Sequence, residues 1–275
     1  MALALAAAAS VVLAIPGSAA SQSPRSYYLA LGDSITYGLQ PQKADAGRPP
    51  SAFDTGYVDV FAARLRKLSP KIQVVNYGCP GESTVTFTRG GCPWLAEGKK
   101  LHDAFRGSQL KAALSVLRAH RGQVSPITVT LFGNDWFPLL ERCKGNVGCV
   151  RKRAPSAVTS FASRLQSILQ RLRAAAPAAE IIVTGAWNPD PAQLAPLRPI
   201  YRSLDAAIAR AAAASRGRSA KTLAVFNPRG TVQAQRARLC ALTFICSQGD
   251  PHPTDAGYRA LADAVLAASG YPRKP

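Results

Sequence analysis

Several features of common protein classes are missing from this chain of 275 residues. It has no low-complexity tract and no internal repeat at solenoid periods, which excludes fibrous and repeat architectures. Acidic residues are scarce, with 15 Asp and Glu against 34 Lys and Arg, so the formal net charge is +19. Hydrophobic residues still make up 47% of the chain. A folded globular protein with a large core is therefore expected.

The excess of positive charge lacks the pattern that nucleic-acid-binding proteins need. Basic residues are scattered over many segments, with only short runs such as 64–67 and 151–153, and no aromatic platform is interleaved with them. We therefore expect no nucleic-acid partner and interpret the excess as a solvated basic face. Such a face favours anionic surfaces, for example cell-wall polymers or lipid head groups, through an attraction that salt screens.

Metal-ligand spacings are also absent. The chain has no C-x-x-C pair, and its histidines at 102, 120 and 252 do not lie at ligand spacing from cysteines. The six cysteines fall as sequence neighbours that close short loops with turn formers such as Gly90 and Gly145. Structural disulfides are therefore predicted in an oxidising compartment, between Cys79 and Cys92, Cys143 and Cys149, and Cys240 and Cys246.

The first twenty residues, MALALAAAASVVLAIPGSAA, carry no charge. Their apolar run has the length of the hydrophobic part of a signal peptide, and Ser18 and Ala20 are small residues suited to cleavage. A membrane anchor is the alternative, but Pro16 and Gly17 interrupt the run, which is short for a membrane span. We predict a signal peptide over 1–20, a secreted protein, and a single domain over 21–275.

Apolar runs of strand length alternate along the chain with segments of helical spacing. The predicted strands are 26–32, 72–78, 126–133, 180–187 and 222–227, and the predicted helices are 57–68, 108–119, 157–172, 200–214 and 255–268. Continuous apolar strands that alternate with helices indicate a parallel sheet covered on both faces. The expected fold class is α/β, with a doubly wound sheet of five strands.

Polar and glycine-rich loops follow the first three predicted strands. Asp33 and Ser34 follow the first in LALGDSITYG, Gly81 follows the second in NYGCPGEST, and Asn134 follows the third in LFGNDW. Because open parallel sheets bind ligands at the carboxyl ends of their strands, we expect these loops to converge. Each loop alone is also typical of an ordinary strand-to-helix turn.

A fourth segment, GDPHPTDAGY, carries a candidate base. His252 lies between two prolines just before a predicted helix, and Asp250 is a nearby carboxylate. A serine hydroxyl is a poor nucleophile unless a base takes its proton, and that base needs an orienting group. Ser34, His252 and Asp250 are therefore the candidate catalytic residues.

Together these four segments resemble the sequence blocks of the SGNH, or GDSL-type, hydrolase family, in order over about residues 27 to 268. The likeness extends to the family's secreted, disulfide-containing esterases and lipases. It implies a three-layer α/β/α fold of the flavodoxin-like kind, with Ser34 as nucleophile and His252 as base. It also implies an oxyanion hole made of the Ser34 and Gly81 backbone N–H groups and the Asn134 side-chain amide.

One position departs from the family pattern. The family aspartate usually stands three residues before the histidine, but Gly249 occupies that position and Asp250 lies two residues before His252. We assign Asp250 as the orienting carboxylate, and a backbone carbonyl remains the alternative. Ser34 does not lie in a G-x-S-x-G elbow, because Thr36 stands two residues after it, which disfavours the α/β-hydrolase fold.

The resemblance implies a secreted serine esterase or lipase, expected to be monomeric, that needs no cofactor and no metal. Its expected substrate is a small-molecule, lipid or acylated-sugar ester. A carbohydrate O-acetyl esterase and a non-catalytic cell-surface binding protein on the same fold are the alternatives. A metal-dependent hydrolase is a further one, and it requires ligands that converge around an ion, from Asp33, Asp135, Asp250 and His252.

Two segments, 39–56 and 87–107, are expected to form loops over the site. Aromatic residues in the second of these segments and near the strand ends offer either an apolar substrate surface or ordinary packing. These residues are Phe87, Trp94, Phe105, Trp136, Phe137 and Trp187.

Overall fold

The structure is a computed structural model that describes residues 25–272. Its strands are β1 (Tyr27–Gly32), β2 (Gln73–Asn76), β3 (Val124–Thr130), β4 (Ile181–Thr184) and β5 (Arg218–Ala220). They form one parallel sheet in the order β2-β1-β3-β4-β5. The predicted α/β class with five parallel strands is therefore confirmed. The signal peptide predicted over 1–20 lies outside the described residues.

Helices cover both faces of this sheet. They are α1 (Ser34–Tyr37), α2 (Pro41–Asp45), a 3-10 helix (Pro50–Phe53), α3 (Tyr57–Leu68), α4 (Thr84–Arg89), α5 (Pro93–Ala96), α6 (Gln109–Ala119), α7 (Gly133–Cys143), α8 (Val147–Ala175), α9 (Leu194–Ala214), α10 (Thr222–Phe226), α11 (Val232–Leu242), α12 (Ile245–Gln248) and α13 (Asp255–Ala268). α3 packs against α13 on one face, while α6, α8 and α9 pack in sequence on the other. The result is a three-layer α/β/α arrangement.

The order of the strands explains where a cleft forms. The chain steps from β1 outward to β2, then reverses and adds β3, β4 and β5 on the other side of β1. Since crossovers between parallel strands are right-handed, this reversal sends α3 to one face and the later crossover helices α6, α8 and α9 to the other. The carboxyl ends of β1 and β3 therefore flank a topological switch point, which is where such sheets bind ligands.

The central strands are buried between the two helix layers. Every residue of β3 is buried, and β1 is buried from Tyr28 onward. The threonines of β3 have hydroxyl partners under α3, since the Tyr57 hydroxyl lies 2.9 Å from Thr130 Oγ1 and donates to Thr128 Oγ1 at 3.3 Å. Buried hydroxyl groups with partners avoid the cost of desolvation. The buried hydroxyl groups of β3 under α3 therefore have hydrogen-bond partners.

The fifth predicted strand is wrong, because residues 222–227 do not form a strand. Residues 222–226 form α10, and the strand β5 lies just before it, paired with β4 through Ile182–Thr184. β5 is a short edge strand with Arg218 and Ser219, so it carries no apolar run that a sequence pattern could reveal. In α10 the buried Thr222 and Phe226 are four residues apart on one helical face.

The two long helices begin earlier than predicted. The helices predicted at 157–172 and 200–214 are the later parts of α8 and α9, which contain Pro155 and Pro199 just before the predicted starts. A proline removes one helical hydrogen bond and normally marks a helix start, which displaced the predicted boundary. The helices predicted at 57–68 and 255–268 have those same bounds in the structure.

Disulfide bonds join the three pairs of neighbouring cysteines, Cys79–Cys92, Cys143–Cys149 and Cys240–Cys246. The first fastens the loop after β2 to the start of α5, the second joins α7 to α8, and the third joins α11 to α12. Each bond therefore restrains a segment near a predicted site loop. Across residues 25–272, no helix combines the length and apolarity needed to cross a membrane.

Gly32 sets the path from β1 to Ser34, and Gly32→Ala tests that role. The residue has φ of +136°, and a Cβ atom there would lie 2.1 Å from the Thr130 carbonyl oxygen. The substitution is expected to lower the free energy of unfolding by about 3 kcal/mol or more, because it adds a clash with β3 to a strained backbone.

Gly47→Ala is the matched control, since Gly47 has φ of +61° but no atom within 4 Å of an added Cβ. Backbone strain alone should cost about 1 to 2 kcal/mol. Urea unfolding followed by circular dichroism measures both variants. Equal losses in the two would contradict the role of the close approach to β3.

Candidate active site

Ser34 begins the short helix α1 directly after β1. Asp33 caps this helix, since its Oδ1 accepts the Ile35 N–H at 3.0 Å, and the Asp33 N–H donates to the Thr130 carbonyl at 3.1 Å. The N–H of a first helical residue such as Ser34 has no acceptor within its own helix. The loop therefore holds both a hydroxyl and a backbone donor at the carboxyl edge of the sheet.

The three candidate catalytic side chains form a continuous series of hydrogen bonds. His252 Nε2 lies 2.8 Å from Ser34 Oγ, and His252 Nδ1 lies 2.7 Å from Asp250 Oδ1. The same carboxylate oxygen accepts the backbone N–H of His252 at 2.8 Å. One oxygen therefore holds both the ring and the backbone of the histidine, which fixes the direction of Nε2 toward Ser34.

The protonation of Asp250 suits this arrangement. Burial by itself would raise the pKa of the Asp250 carboxyl, but the hydrogen bonds and charge of His252 outweigh that effect and lower it below its usual range. An ionised carboxylate can only accept, so the ring proton resides on Nδ1 and Nε2 is free to accept from the Ser34 hydroxyl. The same negative charge stabilises a protonated ring.

Gly249 explains how an aspartate two residues before the histidine reaches the ring. It ends α12 in the left-handed conformation, with φ of +70°, and the chain then turns so that Asp250 accepts the N–H two residues on. Aspartate commonly makes this local turn. The Phe244 N–H donates to the His252 carbonyl at 3.0 Å and anchors the loop to the chain before α12.

Asn134 approaches Ser34 from the start of α7. Its Nδ2 donates one hydrogen bond to the Glu82 carbonyl at 2.9 Å, and a side-chain amide has a second N–H available. Gly81, with φ of +86°, precedes Glu82, and a Cβ atom there would lie 2.9 Å from the Pro93 side chain. Gly81 is thus tied to Asn134 through its neighbour, beside the Cys79–Cys92 disulfide.

A cavity of about 200 Å³ opens at this point and is lined by Ser34, Asn134 and His252, but not by Gly81. The remaining walls are mostly apolar. They include Ile35, Phe132, Phe137, Trp187, Pro189 and Pro251. An apolar recess with a hydroxyl, an amide and an imidazole at one side has the character of a small-molecule site.

Only some of the expected aromatic residues lie at this cavity. Phe137 and Trp187 line it, whereas Trp136 is buried and donates its Nε1–H to the Tyr201 hydroxyl at 3.0 Å. Phe87 is fully buried in the main core. Trp94 and Phe105 pack against a separate apolar cluster formed by the segments 39–56 and 87–107 with Tyr37 and Cys79. For Phe87, Trp94 and Phe105 the packing alternative applies, because Phe87 lies in the main core and the other two are partly buried against this cluster.

Among the residues described, the four side chains of the metal-dependent alternative do not form one group of ligand atoms, although His252 and Asp250 are hydrogen-bonded. Asp135 accepts hydrogen bonds from the Thr84 N–H at 2.7 Å and from Arg164 Nη2 at 3.0 Å, which ties α7 to α4 and α8. Within the described part of the chain, the group of potential ligand atoms that meets within 4.8 Å consists of Cys79, Glu82 and Cys92. Both of those sulfur atoms belong to a disulfide, so they offer no thiolate.

Gln109 and Glu82 form a buried link beneath the site that the sequence did not reveal. Gln109 Oε1 accepts the Gly32 N–H at 2.6 Å, and its Nε2 donates to the Gly32 carbonyl and to Glu82 Oε2, each at 3.0 Å. The Ser34 turn and the Glu82 loop are thereby joined through one side chain. In the sequence Gln109 is an ordinary polar residue at the start of a helix.

This link also buries acidic groups close together. Glu82 is 1% exposed, and its Oε1 has no hydrogen-bond partner among the residues described. Burial raises the pKa of Glu82 to about 7, although hydrogen bonds from Thr86 and Gln109 lower it. Burial likewise raises the pKa of Asp33 to about 7, against the hydrogen bond from the Ile35 N–H.

Serine, histidine and aspartate side chains form a hydrogen-bonded series at the carboxyl edge of a parallel sheet in a three-layer α/β/α fold. This combination is typical of α/β hydrolytic enzymes. The model of the GDSL-like lipase/acylhydrolase family matches residues 30–260. The chain therefore belongs to this family, as its four sequence blocks predicted.

Solved structures from several sources share the fold. A phospholipase A1 from Streptomyces albidoflavus has a TM-score of 0.60 at 18% identity, covering 89% of this chain and 100% of its own. A lipase from a goat rumen metagenome has a TM-score of 0.58 at 17% identity, and the match covers 89% of this chain and 98% of the lipase. An acetylxylan esterase from Geobacillus stearothermophilus has a TM-score of 0.55 at 18% identity, and the match covers 92% of this chain and 100% of the esterase. No curated protein sequence matches the chain.

The buried Glu82 carboxyl is expected to make stability depend on pH. With a pKa of about 7, the folded protein keeps a proton that the unfolded chain releases near its usual value of about 4.3. The folded state then binds more protons, so stability falls as pH rises from about 4 to about 7. Glu82→Gln should reduce this fall, because glutamine keeps an acceptor for Gln109 without a charge.

Urea unfolding at pH 5 and pH 8 measures the difference, with Glu141→Gln as the control because Glu141 is exposed on α7. The control should keep the slope of the natural protein. Some dependence of stability on pH should remain in every variant, because burial also raises the pKa of Asp33 to about 7. If Glu82→Gln loses as much stability as the natural protein between the two pH values, the buried carboxyl is not responsible.

Proposed function

We propose that this protein is a serine esterase that hydrolyses carboxylic acyl esters at Ser34. The observation that carries the proposal is the pair of hydrogen bonds at 2.8 and 2.7 Å that links Ser34 Oγ to His252 and His252 to Asp250. Membership of the GDSL-like lipase/acylhydrolase family supports ester chemistry. A non-catalytic binding protein has no need of an activated hydroxyl, which makes that alternative weaker.

In the first step Ser34 Oγ attacks the carbonyl carbon of the ester. The hydroxyl proton passes to His252 Nε2 as the new C–O bond forms, and the carbonyl electron pair moves to its oxygen. Asp250 then faces a protonated ring and stabilises its charge through Nδ1–H. The aspartate therefore both selects the tautomer before the reaction and stabilises the cation during it.

The negative oxygen of this intermediate needs fixed donors. The Ser34 N–H and the second N–H of the Asn134 amide serve that purpose in the proposal, with the Gly81 N–H as a third donor. Each such donor contributes on the order of 3 kcal/mol to lowering the barrier. The Glu82 carbonyl holds the Asn134 amide through the other N–H, so this donor is oriented before the substrate arrives.

The intermediate then breaks its bond to the alcohol, which leaves with the proton held by His252. Ser34 now carries the acyl group. A water molecule attacks the acyl carbon, gives a proton to His252, and releases the carboxylic acid as Ser34 Oγ takes that proton back. The sum is one ester and one water converted to one acid and one alcohol.

The size of the cavity indicates a short acyl group. A volume of about 200 Å³ equals roughly six or seven water molecules, which suits an acyl chain of a few carbons. A carbohydrate O-acetyl esterase is the second candidate function, since an acetyl group fits this space and one of the similar structures is an acetylxylan esterase. Short-chain acyl esters are common to both.

We also propose that the protein is secreted and acts as a monomer. The predicted signal peptide and the disulfide pairs support export, because disulfides persist in oxidising compartments.

Replacing the reacting side chains should abolish activity without unfolding the protein. Ser34→Ala and His252→Ala are each expected to lower kcat on p-nitrophenyl butyrate by about a thousandfold or more, because the residues act as a unit. Ser247→Ala is the control, since Ser247 is an exposed serine on α12. Asp250→Asn should approach the loss of His252→Ala if the carboxylate is required.

Circular dichroism establishes that each variant is folded, and mass spectrometry after treatment with an organophosphonate locates the reactive serine. Ester turnover that survives in Ser34→Ala, or labelling at another serine, would refute the assignment. A modest loss in Asp250→Asn would instead indicate that a histidine without a carboxylate suffices.

The acyl preference is expected to follow the cavity. Among p-nitrophenyl esters of increasing chain length, kcat/KM should be highest for acetate to butyrate and should fall at octanoate, because longer chains exceed the space beside Ser34. Phe137→Ala should extend the preference toward longer chains, since Phe137 lines the cavity. An optimum at palmitate in the natural protein would contradict this interpretation.

A further inference from the structure

A second cavity of about 770 Å³ lies at the carboxyl ends of β4 and β5, next to the candidate active site. We call it the basic cavity, because it is lined by Arg198, Arg202, Lys221 and Arg229 with Asp205 as its acidic residue. Arg198 and Arg202 are four residues apart on α9 and so share one helical face. Lys221 and Arg229 flank α10 on either side.

One short segment separates the two cavities. Trp187 and Pro189 line the cavity beside Ser34, whereas Asn188 between them lines the basic cavity. The Asn188 N–H donates to Asn227 Oδ1 at 2.7 Å, and Asn227 Nδ2 donates to the Asn188 carbonyl at 3.0 Å. Trp187 stacks on Phe226 with 4.6 Å between ring centroids. The dividing wall is therefore held in place by hydrogen bonds and by ring stacking.

The cations of the basic cavity form no ion pair within the part of the chain that the structure describes. Among the ion pairs within 4.0 Å in residues 25–272, none involves Arg198, Arg202, Lys221 or Arg229. Arg198 Nε is buried and has no hydrogen-bond partner among the described residues. An unpaired buried guanidinium donor is costly and normally finds an acceptor. Arg202, Lys221 and Arg229 are exposed and solvated, whereas the buried Arg198 Nε indicates an acceptor that comes from outside the protein.

Asp205 does not supply that acceptor. A Cβ atom at Gly185 would lie 2.2 Å from Asp205 Oδ1, so this carboxyl packs against the end of β4. Burial raises the pKa of Asp205 to about 6, against a hydrogen bond from the Ala186 N–H. The carboxyl is thus turned toward the sheet and forms no ion pair with the arginines on its own helix.

We propose that the basic cavity binds a phosphate group carried by the alcohol part of the ester substrate. This inference rests on the proposed ester hydrolysis at Ser34. Guanidinium groups form paired hydrogen bonds with phosphate oxygens, and a phosphate has enough oxygens and charge to engage several cations, whereas a carboxylate engages one or two. The acyl group then occupies the small cavity while the alcohol extends past the 187–189 segment.

The polar lining narrows the class of alcohol. Ser219 and Asn188 border the same cavity as the arginines, which suits a hydroxyl-bearing alcohol such as glycerol or a sugar. Both sources present the same phosphate chemistry. They differ in the distance between ester and phosphate, which a comparison of substrates can resolve.

Matched pairs of soluble esters test the proposal. The first pair is 1-butyrylglycerol and 1-butyrylglycerol 3-phosphate, and the second is 6-O-acetylglucose and 6-O-acetylglucose 1-phosphate. At low salt the natural protein should show a kcat/KM at least about tenfold higher for the phosphate member of one pair, and added salt should reduce this ratio. The pair with the larger ratio identifies the source of the phosphate.

Charge-neutral variants locate the effect. Arg198→Gln and Arg202→Gln should each lower the ratio by about fivefold or more, mainly through KM, because a charge-assisted hydrogen bond to phosphate is lost. Arg210→Gln is the matched control, since Arg210 is exposed on the same helix and does not line the cavity. It should leave the ratio unchanged.

The outcomes separate this inference from the proposed function. If the neutral esters are hydrolysed but both ratios are near one, the phosphate site is wrong and the esterase stands. An equal drop in all three arginine variants would reduce the effect to net charge and likewise overturn the site.

Direct binding gives an answer that does not depend on turnover. Calorimetry with glycerol 3-phosphate and glucose 1-phosphate on Ser34→Ala should detect binding, and the further change Arg198→Gln with Arg202→Gln should abolish it. Binding absent from the first protein, or retained in the second, would overturn the inference even if no ester is hydrolysed.

Discussion

The hydrogen bond of 2.8 Å between His252 Nε2 and Ser34 Oγ joins residues that are 218 positions apart in the chain. Much of the structure serves to hold these two ends together. α13 packs on α3, the Tyr258 hydroxyl donates to the Leu39 carbonyl at 2.8 Å, and Gln40 Nε2 donates to Asp255 Oδ1 at 2.6 Å. The hydrogen bond between His252 and Ser34 depends steeply on distance and angle. Both segments must therefore be held in place by other contacts, because small displacements weaken the bond.

A second set of bonds positions the donors around Ser34. Gln109 ties the Gly32 turn to Glu82, and the Glu82 carbonyl orients Asn134. This arrangement accepts a cost, since Glu82 and Asp33 are acidic groups whose pKa values burial raises to about 7. Proteins commonly sacrifice stability at functional sites in this way. The buried acids are thus a feature of the loop geometry around the Ser34 turn.

The sequence predicted the catalytic candidates and most of the sheet, because those features depend on local patterns. Ser34, Asn134 and His252 each stand in a short motif, and β1 and β3 are continuous apolar runs. The error at 222–227 arose where an edge strand has no apolar run and a helix is apolar instead. Gln109 and the four cations of the basic cavity come from separate segments, so only the fold brings them together. The scattered basic residues were therefore interpreted as a solvated face, although four of them line one cavity.

The distance along the chain between Ser34 and His252 also has a consequence for the order of synthesis. A nascent chain emerges from its N-terminus, so β1 and Ser34 are exposed long before His252 and α13 exist. Until those last residues fold back onto α3, Ser34 lacks the histidine that the proposed mechanism gives it as a base. On the proposed mechanism, the unfinished chain is therefore inert, and reactivity arises only when the last helix has been made and has folded.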